Sequence, residues 1–242
     1  MESLSEAALI FIPTPIGNLD DLSPRVLNAL NEVDLLLAED TRHTGQLLKR
    51  LGISVKLMAF HAHNEHRALD HVIQLLKSGQ KVGMVSDAGT PGISDPAFLL
   101  SRACRSEGIA VSCLPGPSAF VPALVMSGLP CHSFYFEGFL PHKKGRMTRW
   151  LFLQSLPCTL VLYESPHRIR KTLNEAADYL GPNRQASLVR EISKMHEEVI
   201  HGSLEELEKA LEEHPRKGEM VLVIGPKEEA SKKTETGSKE PF

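Results

Sequence analysis

Apolar positions along the chain alternate between short β-branched and aliphatic runs and longer amphipathic stretches. That is the rhythm of an α/β protein whose strands are mostly buried. Runs at 8–13, 33–38, 55–60, 82–86 and 109–114 predict five strands, and the stretches 24–31, 41–51, 66–78 and 96–107 between them predict helices. Gly52, Gly79 and Gly108 stand just past the last apolar position of three of these helices, where a residue free to turn left-handed ends the element. From Pro117 the pattern restarts with a helix to about Ser127, then strands at 133–138, 159–163, 186–190, 197–202 and 220–224 and helices at 146–154, 167–180 and 204–213. The short turn between 186–190 and 197–202 predicts an antiparallel pair, so the second half reads as a mixed sheet.

The break Leu114-Pro115-Gly116-Pro117 marks the expected boundary between a first domain, 1–115, and a second, 116–226. Residues 227–242 hold four lysines and four glutamates with almost nothing apolar, which predicts a disordered tail, because such a segment cannot offset its own ordering entropy.

Composition adds bounds. With 242 residues, 42% hydrophobic and 24% charged, the chain is an ordinary globular one, and its length suits one large or two small domains. No apolar stretch approaches the roughly 20 residues a membrane span needs. The first residues, Met1 to Glu6, are acidic where a secretory signal is basic, so a cytoplasmic location is expected. Cys104, Cys113, Cys131 and Cys158 lack Cys-x-x-Cys spacing and read as small buried apolar residues. A net charge of −3 gives no global attraction to nucleic acid, so RNA binding requires a local patch. One patch qualifies: His142 to Arg149 carries Lys143, Lys144, Arg146 and Arg149 without an acid. A solvated helix start is the plain reading, but cations are disfavoured at that end of a helix. With Arg168, Arg170 and Lys171 the run predicts a phosphate-binding surface.

Three loops are dense in Gly, Pro and small polar residues. Pro13-Thr14-Pro15-Ile16-Gly17-Asn18 follows the first strand, and Pro115-Gly116-Pro117-Ser118-Ala119 follows the fifth and opens a helix. Ser86 to Pro96 follows the fourth strand, where open α/β sheets bind ligands. Capping by Ser94 or Asp95, with Pro96 in the first helical turn, accounts for the end of that loop but not for Asp87 with Gly89, Thr90 and Gly92. Glu39 and Asp40 close the second strand. A helix cap explains Asp40; Arg42 and His43 after it are better explained by an RNA phosphate or base. His61 and His63 fall on one face of a strand, but with His66 they lack a carboxylate or cysteine partner, so no metal is expected.

The strings Pro13 to Leu19, Ala38-Glu39-Asp40-Thr41-Arg42-His43-Thr44, Ser86 to Pro96, Pro115 to Ala119 and Tyr163-Glu164-Ser165-Pro166-His167-Arg168 closely resemble the ribosomal RNA small subunit methyltransferase I family of the tetrapyrrole methylase superfamily. The resemblance runs from about Ala8 to Pro226. It implies two α/β domains of the tetrapyrrole methylase type with S-adenosylmethionine in the cleft between them, in a homodimer. It implies 2′-O-methylation of a cytidine ribose in small-subunit ribosomal RNA. Carried over by motif, Pro15, Asp87, Thr90, Ser118 and Ala119 contact the cofactor, joined from the second domain by Tyr163, Arg190 and Met220. Glu39, Asp40, Arg42 and His43 become the catalytic candidates. Asn18 and Asn64, in the string His63-Asn64-Glu65, become RNA contacts beside Lys143, Lys144, Arg146, Arg149 and Arg168. Many members continue into a small helical C-terminal module where this chain has its polar run. Other readings stay open at this point: a superfamily enzyme acting on a tetrapyrrole or a modified protein, and a non-catalytic RNA-binding assembly factor. A nicotinamide-dependent oxidoreductase is disfavoured by the missing Gly-x-Gly-x-x-Gly.

Overall fold

A computed structural model describes residues 7–93 and 97–227, in two compact units. The first comprises the chain to Pro122 together with Glu191–Glu197. Its strands are β1 (Leu9–Phe11), β2 (Leu35–Ala38), β3 (Lys56–Ala59), β4 (Val82–Val85) and β5 (Val111–Cys113), all parallel and ordered β3-β2-β4-β1-β5. Helices α1 (Pro24–Glu32), α2 (Thr41–Leu51), α3 (Glu65–Lys77) and α4 (Phe98–Ser106) connect them. Steps β1 to β2 to β3 run one way along the sheet and β3 to β4 to β5 run back. Right-handed crossovers therefore place α1 and α2 on one face and α3 and α4 on the other.

The side chains divide accordingly, with the period of two that a strand imposes. Ile10, Ile12, Leu36 and Ala38 pack with Val26, Ala29 and Leu30 of α1 and Leu48 of α2. Leu9, Phe11, Leu35, Leu37 and Met84 pack with Val72, Ile73 and Leu76 of α3 and Leu100 and Cys104 of α4. Gly52, Gly79 and Gly108 take φ of +68°, +90° and +68°, which is why glycine serves at these helix ends.

The second unit comprises Ala123–Arg190 and the chain from Glu198 onward. Helix α5 (Phe120–Ser127) straddles the division and is followed by β6 (Phe134–Phe139), α6 (Arg146–Ser155), β7 (Thr159–Glu164), α7 (Ile169–Leu180), β8 (Gln185–Arg190), β9 (Glu198–Ser203), α8 (Leu204–Glu213) and β10 (Met220–Ile224). The sheet is mixed, in the order β6-β7-β10-β8-β9: β6 and β7 are parallel, and the β7–β10, β10–β8 and β8–β9 pairs are antiparallel. Its core joins Leu160, Leu162, Leu188 and Leu222 to Trp150, Leu173, Leu207 and Leu211 of the covering helices. A capping box of Ser203 and Glu206 starts α8.

Three details differ from the sequence reading. The units divide after Pro122, seven residues beyond the Pro115 boundary, because the loop after β5 stays with the first unit. Helix α5 begins at Phe120, so Pro117, Ser118 and Ala119 remain loop. His61 and His63 share no strand face, since β3 ends at Ala59 and they occupy the turn that follows. The helix cap expected at Ser94, Asp95 and Pro96, the acidic residues before Ala7 and the tail after Lys227 lie outside the described residues. No helix among the described residues is long and apolar enough to cross a membrane.

Candidate active site

Parallel strands end together, so the loops leaving β1, β2, β3, β4 and β5 emerge at one edge of the first sheet. Pro15, Glu39, Asp40, Asn64, Asp87, Thr90 and Ser118 all belong to them. Their backbones are bound to one another. Thr14 and Gly89 exchange amide hydrogen bonds of 2.9 and 3.1 Å, and the buried Thr14 hydroxyl donates to the Ser86 carbonyl at 3.1 Å. The Thr90 hydroxyl donates to the Pro117 carbonyl at 2.9 Å, which joins the β4 loop to the β5 loop. A side chain on Gly116 would collide with Pro13, and Gly89, at φ +82°, lets its strand turn toward Pro117. Thr14, which composition did not single out, is the residue that closes this surface; its signal was a β-branched polar residue between two prolines.

Around Glu39 the electrostatics are uneven. The Asp40 amide donates to Asp87 Oδ1 at 3.1 Å, which draws the β4 loop against the end of β2. Burial pushes the Glu39 carboxyl above the usual range, and the charge of Asp87 pushes it further. The Asp87 backbone amide and His61 act the other way. Asp40 is different: its Oδ1 accepts the Arg42 amide at 2.8 Å and caps α2, while its two oxygens accept the Arg42 guanidinium at 3.1 and 2.7 Å. These bonds hold Asp40 well below the ordinary carboxylate range. Arg42 is 87% exposed in its side chain and His43 is exposed on the same turn. Asn64 is a clasp, accepting the His61 amide at 2.8 Å and donating to the Ala59 carbonyl at 3.0 Å. Asn18 caps the short turn Leu19–Asp21 by accepting the Asp20 amide at 3.1 Å.

The second unit gathers the other expected cofactor residues at one edge of its sheet. Met220 pairs with Glu164 on one side and Arg190 on the other, so Tyr163, Arg190 and Met220 lie on adjacent strand ends. Tyr163 is half-buried, with Phe136 and Phe139 edge-on at 5.1 and 5.6 Å. Arg190 is engaged by Glu198 at 3.0 Å and by the Lys217 carbonyl at 3.0 Å.

The arginines of the basic run and its neighbours are committed to acids and carbonyls of their own unit. Arg146 is 5% exposed and points inward to Glu175 (2.6 Å), the Thr172 hydroxyl (2.7 Å) and the Pro141 carbonyl (3.1 Å). Arg149 pairs with Glu137 and lies over the Phe152 ring. Arg168 donates to the Leu140 carbonyl at 2.7 Å and faces Glu164 at 3.3 Å, while Arg170 pairs with Glu208 and Glu212 and Lys171 with Glu175. A buried guanidinium requires a partner, and the sheet and α7 supply one. Only Lys143 and Lys144 of the run are exposed cations. Of the cysteines, Cys104 is buried but Cys113 and Cys131 are exposed, since Cys113 ends an edge strand and Cys131 stands in the loop before β6.

S-adenosylmethionine brings a cationic sulfonium, an amino-acid end and a ribose. The first unit's loops suit such a group: a carboxylate at Asp87, a hydroxyl at Ser118, and backbone brought close by Gly89 and Gly116. Thr90 fits as a brace, because its hydroxyl is already committed to Pro117.

The family model described as Tetrapyrrole (Corrin/Porphyrin) Methylases matches residues 8–208. Solved structures of the same fold include a diphthine synthase (TM-score 0.68, 14% identity, 90% of this chain and 89% of that one) and the uroporphyrin-III-C-methyltransferase of Thermus thermophilus (TM-score 0.62, 21% identity, 90% and 93%). The class is therefore that of S-adenosylmethionine-dependent methyltransferases built from two α/β units. Similarity to proteins named ribosomal RNA small subunit methyltransferase I is far higher: 49% identity with that of Xylella fastidiosa strain Temecula1, over 89% of this chain and 80% of the relative. The protein of that name from Escherichia coli O157:H7 is 46% identical over 91% and 78%, and that from Thermotoga maritima 42% over 91% and 99%. The chain belongs to the ribosomal RNA small subunit methyltransferase I family. The Thermotoga relative, matched over 99% of its length, has no room for the extra C-terminal module expected of many members.

Proposed function

We propose that this chain transfers a methyl group from S-adenosylmethionine to the 2′-hydroxyl of a cytidine ribose in small-subunit ribosomal RNA, as a cytoplasmic homodimer. What carries the reading is the high identity to relatives named for that RNA, sustained over about nine-tenths of the chain. The cofactor supplies an electrophilic methyl on a positively charged sulfur.

The protein's tasks are to hold a nucleotide out of its stack, to exclude water and to accept the hydroxyl proton. Glu39 suits the last. Its raised proton affinity brings a carboxylate closer to the working pH, which strengthens a general base. Asp40 acts as the α2 cap and orients Arg42, whose exposed guanidinium and the neighbouring His43 face RNA. Asp87, Pro15, Ser118 and Ala119 take the cofactor, with Thr90 bracing the loop. Lys143 and Lys144 supply phosphate contacts; Arg146, Arg149 and Arg168, being ion-paired, do not.

The test is methylation of small ribosomal subunits from a strain lacking the gene, using labelled S-adenosylmethionine. The expected product is one alkali-resistant linkage at a cytidine. Label on a base after digestion to nucleosides, or none on RNA, would overturn the proposal.

A further inference from the structure

Glu39 has neighbours on two sides, the β4 loop with Asp87 and the segment that leaves β3. In the order β3-β2-β4, strand β2 lies in the middle, so the residue after Ala38 is flanked by the loops leaving both neighbours. On the β3 side the ladder continues beyond the pair Ala38 and Ala59, with the Phe60 amide donating to the Ala38 carbonyl at 2.8 Å. His61 therefore starts beside the segment 39–40. Its backbone is fixed: Asn64 Oδ1 accepts its amide at 2.8 Å, and the amides of Asn64 and Glu65 donate to its carbonyl at 2.9 Å each. The ring lies edge-on to His63, 6.0 Å away. Its Nδ1 is buried and has no hydrogen-bond partner among the described residues. Buried polar atoms are nearly always satisfied, so an orphan beside a substrate loop calls for an explanation.

The charged surroundings narrow it. Asp87 approaches from the β4 loop and Asp40 from the start of α2, but Asp40 is neutralised by Arg42. Among these groups His61 is the one that favours the ionised form of Glu39 by its charge. We infer that His61 is a positioning residue for Glu39, its imidazole steadying the carboxylate as an anion against the like charge of Asp87. The inference rests on Glu39 being the base. In the step it serves, the ribose oxygen bonds to the methyl carbon as the carbon–sulfur bond breaks and its electron pair stays on sulfur. The hydroxyl proton passes to Glu39, and a base already protonated cannot take it.

Single-turnover methyl transfer as a function of pH, at saturating RNA and cofactor, tests this in wild type, His61→Ala and His61→Gln. In His61→Ala the acid limb should move to higher pH, with the rate recovering at the alkaline end. A displacement of one pH unit reads as about a tenfold loss on the limb. His61→Gln, which keeps a donor without a charge, should fall between. A limb that does not move, or an equal loss at every pH, overturns the inference. A second measurement does not depend on RNA: carboxyl NMR of Glu39 should show it titrating higher in His61→Gln than in wild type, and an unchanged midpoint rejects the coupling. Wild-type protein that methylates no ribosomal RNA but shows the NMR displacement would sink the proposed function and leave the coupling standing.

Discussion

A half-buried carboxylate beside a second carboxylate works against folding, and Glu39 is such a group. Its folded pKa lies above its unfolded one, so the folded state holds the proton more tightly. Stability is then greatest below the ordinary value of 4.5 and declines as pH rises through the raised value. Glu39→Gln should accordingly keep or raise the thermal midpoint at neutral pH, while slowing single-turnover methyl transfer by roughly 10²- to 10⁴-fold. Full activity in that variant would send the search for the base to His63 and Glu65. Asp87→Asn removes the neighbouring charge, so the acid limb of the rate profile should move to lower pH; an unmoved limb would mean that the two carboxylates do not interact. Asp40 carries the opposite sign. Its pKa is depressed, so its contribution is present above the unfolded value and lost as pH falls through the folded one. Asp40→Ala should lower the midpoint by a few degrees at neutral pH, and the gap to wild type should narrow in strong acid. Asp40 as a cap was legible, because a cap is local. The tuning of Glu39 was not, because Asp87 and His61 come from other strands.

The element whose meaning changed most is α6. Four cations without a neighbouring acid read as a phosphate surface, yet Glu175 is 29 residues from Arg146 and Glu137 is 12 from Arg149. Sequence proximity could not reveal either pair. Strands and helices, by contrast, were legible nearly to the residue: α2, α8 and β10 match their predicted spans, since apolar periodicity and end signals are short-range. Arg146→Ala should remove the nearest cation from Glu175, leaving it the Trp150 indole and Lys171, and cost about 1.5–3 kcal/mol in denaturant unfolding. The salt dependence of RNA binding in a folded sample should not change. A stable variant with a shallower salt slope would return Arg146 to the RNA surface.

At the scale of the whole molecule, a net charge of −3 leaves RNA attraction to few side chains. Replacing Lys143 and Lys144 by alanine should reduce the slope of log affinity against log salt by roughly 1.4, at about 0.7 per phosphate contact on single strands. Titration with S-adenosylmethionine should be unaffected, and an unchanged slope would place the RNA elsewhere. Chain order carries a separate consequence. The first sheet is complete once Cys113 has been made, whereas β10 forms the centre of the second sheet and is the last of the described strands in the chain. A nascent polypeptide can therefore close one sheet early, while β7 and β8 wait with facing edges unpaired until residue 224 leaves the ribosome. A message truncated shortly before codon 220 would yield an open seam in place of a slightly shorter enzyme, a substrate for chaperones and proteases.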